Sequence, residues 1–141
     1  MMLYLDTSAL IKRYVEEEGS GRVNELWDGA TGLATSVVAF AEMIAALNRK
    51  QREGVLSARE CARTATSFKN DYRRFILIPV SSGLNERIET LARKHALRGF
   101  DAIHLASAFV IRNNGKVETG FACYDRTLNE AAWREGFPKI L

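Results

Sequence analysis

The segment LYLDTSALIKRYV, residues 3–15, decides the fold. Its first three residues are apolar and have the character of a short buried strand. The residues after Asp6 place apolar side chains on one face in successive helical turns. We therefore expect a strand over residues 3–5 and a helix over residues 7–18, joined by a single acidic residue.

The same alternation of strand and helix continues along the chain. Apolar runs predict further strands at residues 32–35, 75–80, 119–124 and 139–141, and amphipathic patterns predict helices at residues 20–27, 37–52, 58–74, 84–95, 100–112 and 126–135. Strands separated by helices indicate an α/β fold, with a short parallel sheet and helices on both faces. Right-handed crossovers bring the carboxyl ends of the strands to one edge, where such sheets carry their sites. Asp6 and Asp125 each follow a predicted strand, so we expect both at that edge.

Size and composition are typical of one globular domain. The chain has 141 residues, 47% of them hydrophobic and 26% charged, and we place a single domain at residues 1–141. The longest apolar runs, residues 37–47 and 103–111, are shorter than the ~20 residues that a membrane-spanning helix needs. The first residues lack the basic region and cleavage site of a signal peptide. We expect a cytoplasmic protein with no membrane partner.

The cysteines and histidines argue against zinc chemistry. Cys61 and Cys123 lie far apart in the sequence, and His95 and His104 do not have the spacing of a zinc-binding pair. We interpret both cysteines as buried, reduced thiols, because a free cysteine behaves as a small apolar side chain.

Charge is distributed unevenly although the net charge is only +3. Residues 1–48 carry a net charge of −4, residues 49–98 carry +7, and residues 99–141 carry 0. The basic middle section is consistent with binding to a polyanion such as a nucleic acid. It is equally consistent with the solvated faces of several helices, so both interpretations stay open.

Glu42 is the least ordinary residue of the sequence. It is the one polar side chain in the segment VVAFAEMIAAL, residues 37–47, and an ionised carboxylate in such surroundings is unfavourable unless a cation compensates it. No Lys or Arg lies three or four residues away, so a partner has to come from outside the helix. This position favours a functional role over a structural ion pair.

The three aspartates have an alternative, structural interpretation as helix caps. Asp101 opens the segment FDAIHLASAFVI, and Asp6 and Asp125 also precede predicted helices. The interpretation is weakest for Asp125, because Thr127 and Glu130 have the spacing of a capping box for the last helix.

Four motifs occur in order along the chain: LDTSAL at residues 5–10, TSxxxxxE at residues 35–42, LRGFDAIHLASA at residues 97–108 and YDRTL at residues 124–128. Together they resemble the PIN-domain ribonucleases, and most closely the VapC toxins of bacterial and archaeal toxin–antitoxin modules. The resemblance covers nearly the whole chain and implies a PIN-like three-layer fold. One difference is that members often have Ser or Thr shortly before the fourth acidic residue, where this chain has Ala122 and Cys123.

The resemblance also implies a site and its chemistry. Asp6, Glu42, Asp101 and Asp125 are expected to converge as a catalytic metal site, with the Ser8 hydroxyl beside them. Carboxylates without Cys or His are the ligands that Mg²⁺ or Mn²⁺ prefers, and such an ion activates water for attack on a phosphodiester. The implied function is a metal-dependent endoribonuclease that acts on RNA, forms a homodimer and binds a VapB-like antitoxin. The alternative is a non-enzymatic RNA-binding or scaffolding PIN-like module, which would not need all four acids.

Three basic side chains near these acids have open roles. Arg98 and Arg126 are candidates for contact with RNA phosphates, and solvation or pairing with a pocket carboxylate is an equal alternative. His104 lies three residues after Asp101 and has the spacing to orient it. A core histidine is the more common case among such apolar neighbours.

Overall fold

The computed structural model describes residues 1–141 and has a four-stranded, fully parallel sheet at its centre. The strands are β1 (Met2–Leu5), β2 (Gly32–Ser36), β3 (Ile76–Ile78) and β4 (Thr119–Ala122). Their order across the sheet is β3-β2-β1-β4, so the first strand of the chain lies inside the sheet and β3 and β4 form its edges. The predicted parallel α/β sheet is confirmed.

Seven α-helices surround the sheet. They are α1 (Thr7–Tyr14), α2 (Ser20–Gly29), α3 (Val38–Arg52), α4 (Ala58–Tyr72), α5 (Asn85–His95), α6 (Gly99–Gly115) and α7 (Arg126–Arg134), and a short 3₁₀ turn (Ser82–Leu84) precedes α5. No helix has the length and apolar character needed to cross a bilayer.

The helices form two layers, one on each face of the sheet. One core cluster contains Tyr4 of β1 together with buried residues of α5, α6 and α7. The other contains Leu3 and Leu5 of the same strand together with buried residues of α1 to α4. Because successive strand residues point to opposite faces, β1 supplies side chains to both cores. This arrangement confirms helices on both faces and explains why β1 is apolar throughout.

Several predicted boundaries differ from the structure by a few residues, and two predicted elements differ more. The helix after β1 ends at Tyr14 rather than at residue 18, because the following residues turn back and the Glu18 carbonyl oxygen accepts a hydrogen bond from Lys12 Nζ at 2.8 Å. The strand predicted at residues 139–141 is absent. The carbonyl oxygen of Ile140 accepts hydrogen bonds from the Arg22 guanidinium instead, so this segment packs on the sheet edge without extending it.

Gly19 lies in the turn between α1 and α2 and packs closely against Tyr124, which follows β4. Its φ is +93°, a left-handed conformation that side chains disfavour. The Tyr124 hydroxyl donates to the Gly19 carbonyl oxygen at 3.2 Å, and a Cβ at this position would lie 2.6 Å from that hydroxyl. Only glycine therefore allows the turn to approach Tyr124 this closely.

We predict that Gly19→Ala destabilises the protein by roughly 1–3 kcal/mol, since the substitution adds both backbone strain and a steric conflict. Gly21→Ala is the matched control: it lies in α2 with nothing within 4 Å of the added Cβ, and a helical alanine is favourable. Urea denaturation of the two variants measures the difference. Equal stability of the two variants would contradict the role given to Gly19.

Candidate active site

All strand carboxyl ends lie at one edge of the sheet because the sheet is parallel. A pocket of about 420 Å³ opens at that edge. Its lining residues are Asp6, Thr7, Ser8, Ile11, Glu42, Ala46, Arg49, Arg98, Asp101, His104, Tyr124 and Asp125. The pocket therefore brings together all four acidic residues selected from the sequence, from four different parts of the chain.

Asp6 connects β1 to α1 and is almost completely buried, with 4% of its surface exposed. Its Oδ1 accepts hydrogen bonds from the Ala9 backbone N–H at 3.0 Å and from the Ser8 hydroxyl at 2.7 Å. Burial raises the pKa of Asp6 to about 6 and the Asp101 charge adds to this, although His104 and the two hydrogen bonds act in the opposite direction. Asp6 is thus both a helix cap and a carboxylate whose charge is poorly solvated.

Ser8 joins two of the loops that carry acids. Its hydroxyl donates to Asp6 and accepts a hydrogen bond from the Tyr124 backbone N–H at 2.8 Å. Tyr124 directly precedes Asp125, so this hydroxyl couples the end of β1 to the end of β4. The Ser8 hydroxyl therefore contacts both Asp6 and the backbone next to Asp125.

Glu42 projects from α3 and is held by residues of two other helices. Its Oε1 accepts hydrogen bonds from the Thr7 hydroxyl at 2.7 Å and from His104 Nε2 at 2.6 Å. Burial raises the pKa of Glu42, but the hydrogen bond and charge of His104, together with the Thr7 hydrogen bond, outweigh it and leave the pKa below its usual value. The external partner that the apolar helix required is therefore a histidine and not a Lys or Arg.

His104 is a core residue, 1% exposed, as its neighbours predicted. The alternative, that it orients Asp101, is not observed: its two ring nitrogens contact Glu42 and the Tyr4 hydroxyl, the latter at 2.9 Å from Nδ1. Both ring nitrogens therefore have a partner, because the Glu42 carboxylate accepts a hydrogen bond and the Tyr4 hydroxyl can either donate or accept one. This relay anchors the Glu42 carboxylate to the central strand.

Asp101 lies in the first turn of α6 and does not cap it. The N-cap position belongs to Arg98, and no side chain bonds to the helix start there. The Asp101 Oδ2 instead accepts a hydrogen bond from Arg98 Nε at 3.1 Å. The cap interpretation therefore fails for Asp101, while it holds for Asp6 and Asp125 as a function in addition to the pocket.

Asp125 caps α7 through its Oδ1, which accepts a hydrogen bond from the Leu128 backbone N–H at 2.9 Å. The predicted capping box of Thr127 and Glu130 is wrong, because Glu130 pairs with Arg126 instead. Cys123 is buried, and its thiol contacts the Asp125 backbone carbonyl at a sulfur–oxygen distance of 3.4 Å. Burial, followed by the nearby Asp6 charge, raises the pKa of this thiol, so it stays protonated and serves as a structural donor.

The arginines near the acids differ in their contacts. Arg98 pairs with Asp101 and also lies 3.5 Å from Asp125 through its Nη2 and Oδ2 atoms, so its pairing with pocket carboxylates is observed. The Arg126 side chain is 92% exposed and pairs with Glu130 outside the pocket lining. Arg49 of α3 also lines the pocket but, unlike Arg98, it forms no ion pair.

The donor set suits a hard divalent cation. In three of the acids the protein binds one carboxylate oxygen and leaves the other without an internal partner, namely Asp6 Oδ2, Glu42 Oε2 and Asp101 Oδ1. Mg²⁺ and Mn²⁺ prefer such oxygen ligands, and no thiol competes for the ion because Cys123 remains protonated. In this arrangement no group of three or more His, Cys, Asp or Glu side chains is set to hold a metal ion, and Arg98 occupies the space between two of the acids.

Three further residues belong to the site and were not predicted from the sequence: Tyr4, Thr7 and Arg49. Thr7 follows Asp6 in the LDTSAL motif, and Tyr4 is hidden in an apolar strand. A usable signal was present for the Glu42 contact: Glu42 and His104 are isolated polar residues in two apolar helices, and such residues require a partner.

Known proteins place the chain in a class consistent with this fold and pocket. The family model described as PIN domain matches residues 3–132. Two proteins of Mycobacterium tuberculosis, Ribonuclease VapC45 and Ribonuclease VapC49, are each 33% identical over 135 residues, which cover 96% of this chain and 92% of each relative. The chain belongs to the PIN-domain family and, within it, to the VapC ribonucleases.

Solved structures show the same fold at lower identity. VapC20 of Mycobacterium tuberculosis, described as a sarcin–ricin loop cleaving toxin, superposes with a TM-score of 0.65 at 16% identity and covers 97% of both chains. PAE2754 of Pyrobaculum aerophilum superposes with a TM-score of 0.64 at 20% identity, covering 93% of this chain and 79% of its own. At these identities the likeness concerns the fold, and it confirms the PIN-like three-layer architecture.

We predict that Asp6→Asn makes the metal-free protein as stable as the unchanged chain or more stable at about pH 7.5. The folded-state pKa of about 6 lies above the usual 3.8, so ionising Asp6 destabilises the fold as the pH rises between these values. The gain from the amide, at most ~3 kcal/mol, is therefore largest above pH 6 and vanishes below about pH 4. Asparagine also keeps the helix cap.

Urea denaturation with a chelator present, at about pH 4 and pH 7.5, measures this effect. Asp28→Asn is the control, because Asp28 is exposed on α2 and its substitution should change stability by no more than about 0.5 kcal/mol at either pH. A clear loss of stability in Asp6→Asn at pH 7.5 would show that the carboxylate has a structural role that outweighs its burial.

Proposed function

We propose that the chain is an endoribonuclease that depends on Mg²⁺ or Mn²⁺. Asp6, Glu42 and Asp101 bind the ion, and Asp125 completes the pocket or helps to bind a second ion. The observation that carries the proposal is the convergence of four carboxylates in one pocket, three of them with an oxygen that has no internal partner. A purely structural or scaffolding module has no use for such an arrangement, because clustered carboxylates repel one another. The catalytic unit in this proposal is one PIN domain spanning residues 1–141.

The protein's own residues fix the orientation of these carboxylates before any ion binds. Ser8 and the Ala9 N–H hold Asp6, while Thr7 and His104 hold Glu42. A bound divalent cation supplies Lewis-acid chemistry, making water a better nucleophile and stabilising charge on the phosphodiester. Partners of this kind keep ligands in place and make them better donors.

RNA is the proposed substrate, and Arg49 is the cation best placed to bind it. Arg49 lines the pocket and forms no ion pair, so its guanidinium is available to donate two hydrogen bonds to a phosphate group. Such a contact at the mouth would hold the RNA backbone beside the acids. The proposal places this activity in the cytoplasm, where RNA is available.

We predict that Asp6→Asn and Glu42→Gln abolish RNA cleavage in Mg²⁺ or Mn²⁺, and that excess chelator abolishes cleavage by the unchanged chain. Thr7→Val should lower the activity by about 10- to 100-fold, as expected for loss of a residue that supports a metal ligand. Glu130→Gln, which removes an acid of α7 outside the pocket lining, is the control and should cleave normally. Cleavage that persists in Asp6→Asn or in chelator would refute the metal-dependent mechanism.

An antitoxin similar to VapB is the proposed protein partner. A pocket that cleaves cellular RNA has to be inhibited, and a guanidinium is suited to an acidic pocket because it can pair two carboxylates. Arg98 already makes such a contact within the chain, which supports inhibition by an arginine of the partner.

A groove of about 390 Å³ beside α1 and α4 offers an anchor for such a partner. It is lined by Tyr14, Val15, Val55 and Leu56 together with polar residues, and Val55 is 55% exposed. Leu10 and Ile11 of α1 are buried in the core and Val15 is only 5% exposed, so Val55 is the main apolar side chain that the groove offers to a partner.

We predict that co-expression with the small protein encoded immediately upstream yields a stable complex, suppresses RNA cleavage and restores growth. The mass of the purified complex also reports whether the chain is a homodimer, as the family resemblance implies. Val55→Asp in the groove should weaken the complex while leaving cleavage by the free chain intact. A chain that is harmless alone and purifies with no partner would refute the toxin assignment even if it cleaves RNA.

A further inference from the structure

Arg98 bridges two of the four pocket carboxylates. Its Nε lies 3.1 Å from Asp101 Oδ2, and its Nη2 lies 3.5 Å from Asp125 Oδ2. We call this arrangement the Arg98 bridge. It connects the start of α6 to the start of α7, and it is the one contact in which a Lys or Arg side chain of this protein pairs with the pocket acids.

The Arg98 bridge lies between two cavities. On one side is the 420 Å³ pocket described above, and on the other is a cavity of about 260 Å³. The smaller cavity is lined by Ala96, Leu97, Arg98, Asp101, Asp125 and Thr127. Arg98, Asp101 and Asp125 line both cavities, so the bridge forms the partition between them.

The bridge also determines which carboxylate oxygens are available. Asp125 Oδ1 is occupied by the Leu128 N–H, and its Oδ2 faces Arg98. Asp125 therefore has no unpartnered oxygen while the bridge is intact, in contrast to Asp6, Glu42 and Asp101. Moving the Arg98 side chain would release an oxygen of both Asp101 and Asp125 in one step.

The Arg98 side chain is exposed to solvent, while its backbone is held by hydrogen bonds. The Arg98 carbonyl oxygen accepts a hydrogen bond from the Ala102 N–H at 3.0 Å, and the preceding Leu97 N–H donates to the Ala92 carbonyl oxygen. The side chain itself is 80% exposed, so solvent screens its ion pairs and makes them weak. A divalent cation has twice the charge of the guanidinium and competes directly for the same oxygens.

We propose that the Arg98 bridge takes the place of the metal ion in the metal-free protein and that the ion displaces it. This inference rests on the proposed metal-dependent function and adds its regulation. Displacement frees Asp125 as a ligand and joins the two cavities, which share Arg98, Asp101 and Asp125, into one groove beside the acids. Metal binding and opening of the RNA groove are then a single event.

Mn²⁺ binding to the purified full chain, measured by calorimetry or by the electron paramagnetic resonance of free Mn²⁺, tests this inference without any cleavage assay. Arg98→Gln should bind Mn²⁺ about two- to fivefold more tightly than the unchanged chain, the gain that corresponds to losing one exposed ion-pair competitor. Arg126→Gln is the matched control: it removes the same charge beside Asp125 but leaves the bridge, so its Mn²⁺ affinity should stay within the error of the unchanged chain.

The other outcomes are distinguishable. Equal Mn²⁺ affinity in Arg98→Gln and Arg126→Gln would refute displacement and leave the proposed nuclease function intact. Weaker binding in Arg98→Gln, with thermal unfolding showing a folded protein, would mean that Arg98 positions the acids as an aid to the metal, which also refutes displacement. Absence of Mn²⁺ binding in all three proteins would refute the bridge's role and the metal-dependent function together.

Discussion

β1 lies inside the sheet and pairs in parallel with β2 on one side and β4 on the other. Its Leu3 and Leu5 enter one core and its Tyr4 enters the other, so both helix layers pack on this strand. Because its neighbours run in the same direction, the chain leaves β1 and β4 at the same edge, and the Asp6 N–H even donates to the Ala122 carbonyl oxygen at 3.1 Å. The parallel pairing of this one strand thus places Asp6 and Asp125 side by side.

The same strand also determines the position of Glu42, although that residue belongs to a helix. Tyr4 stacks on Phe121 of β4 with ring centroids 5.5 Å apart, and its hydroxyl holds the His104 ring. His104 in turn holds the Glu42 carboxylate. A residue at the centre of the sheet therefore fixes a carboxylate in the pocket through a buried chain of hydrogen bonds, in which low solvent access strengthens each link.

Much of this arrangement could be predicted from the sequence. The alternation of apolar strands and helices predicts the parallel sheet. Because parallel strands end at the same edge, it also predicts that Asp6 and Asp125 lie at that edge. The contacts of Glu42 could not be predicted in the same way, since His104 is 62 positions away along the chain and their meeting depends on how α3 and α6 pack. The capping box predicted for Thr127 and Glu130 is wrong for a local reason. Arg126 lies four residues before Glu130 and pairs with it, and Asp125 caps the helix instead.

Two different physical means stabilise the acids of the pocket. Asp6 and Glu42 are held by hydroxyl groups, a backbone N–H and a buried imidazole, which remain in place whatever binds in the pocket. Asp101 and Asp125 are held together by a cation on a flexible, exposed side chain, which another cation can replace. The first pair therefore has a fixed geometry, whereas the second pair changes its partners. Since Asp6 and Glu42 are both anchored through β1 and the exchangeable pair lies at the starts of α6 and α7, adjustment to a ligand falls on the α6 and α7 side of the pocket.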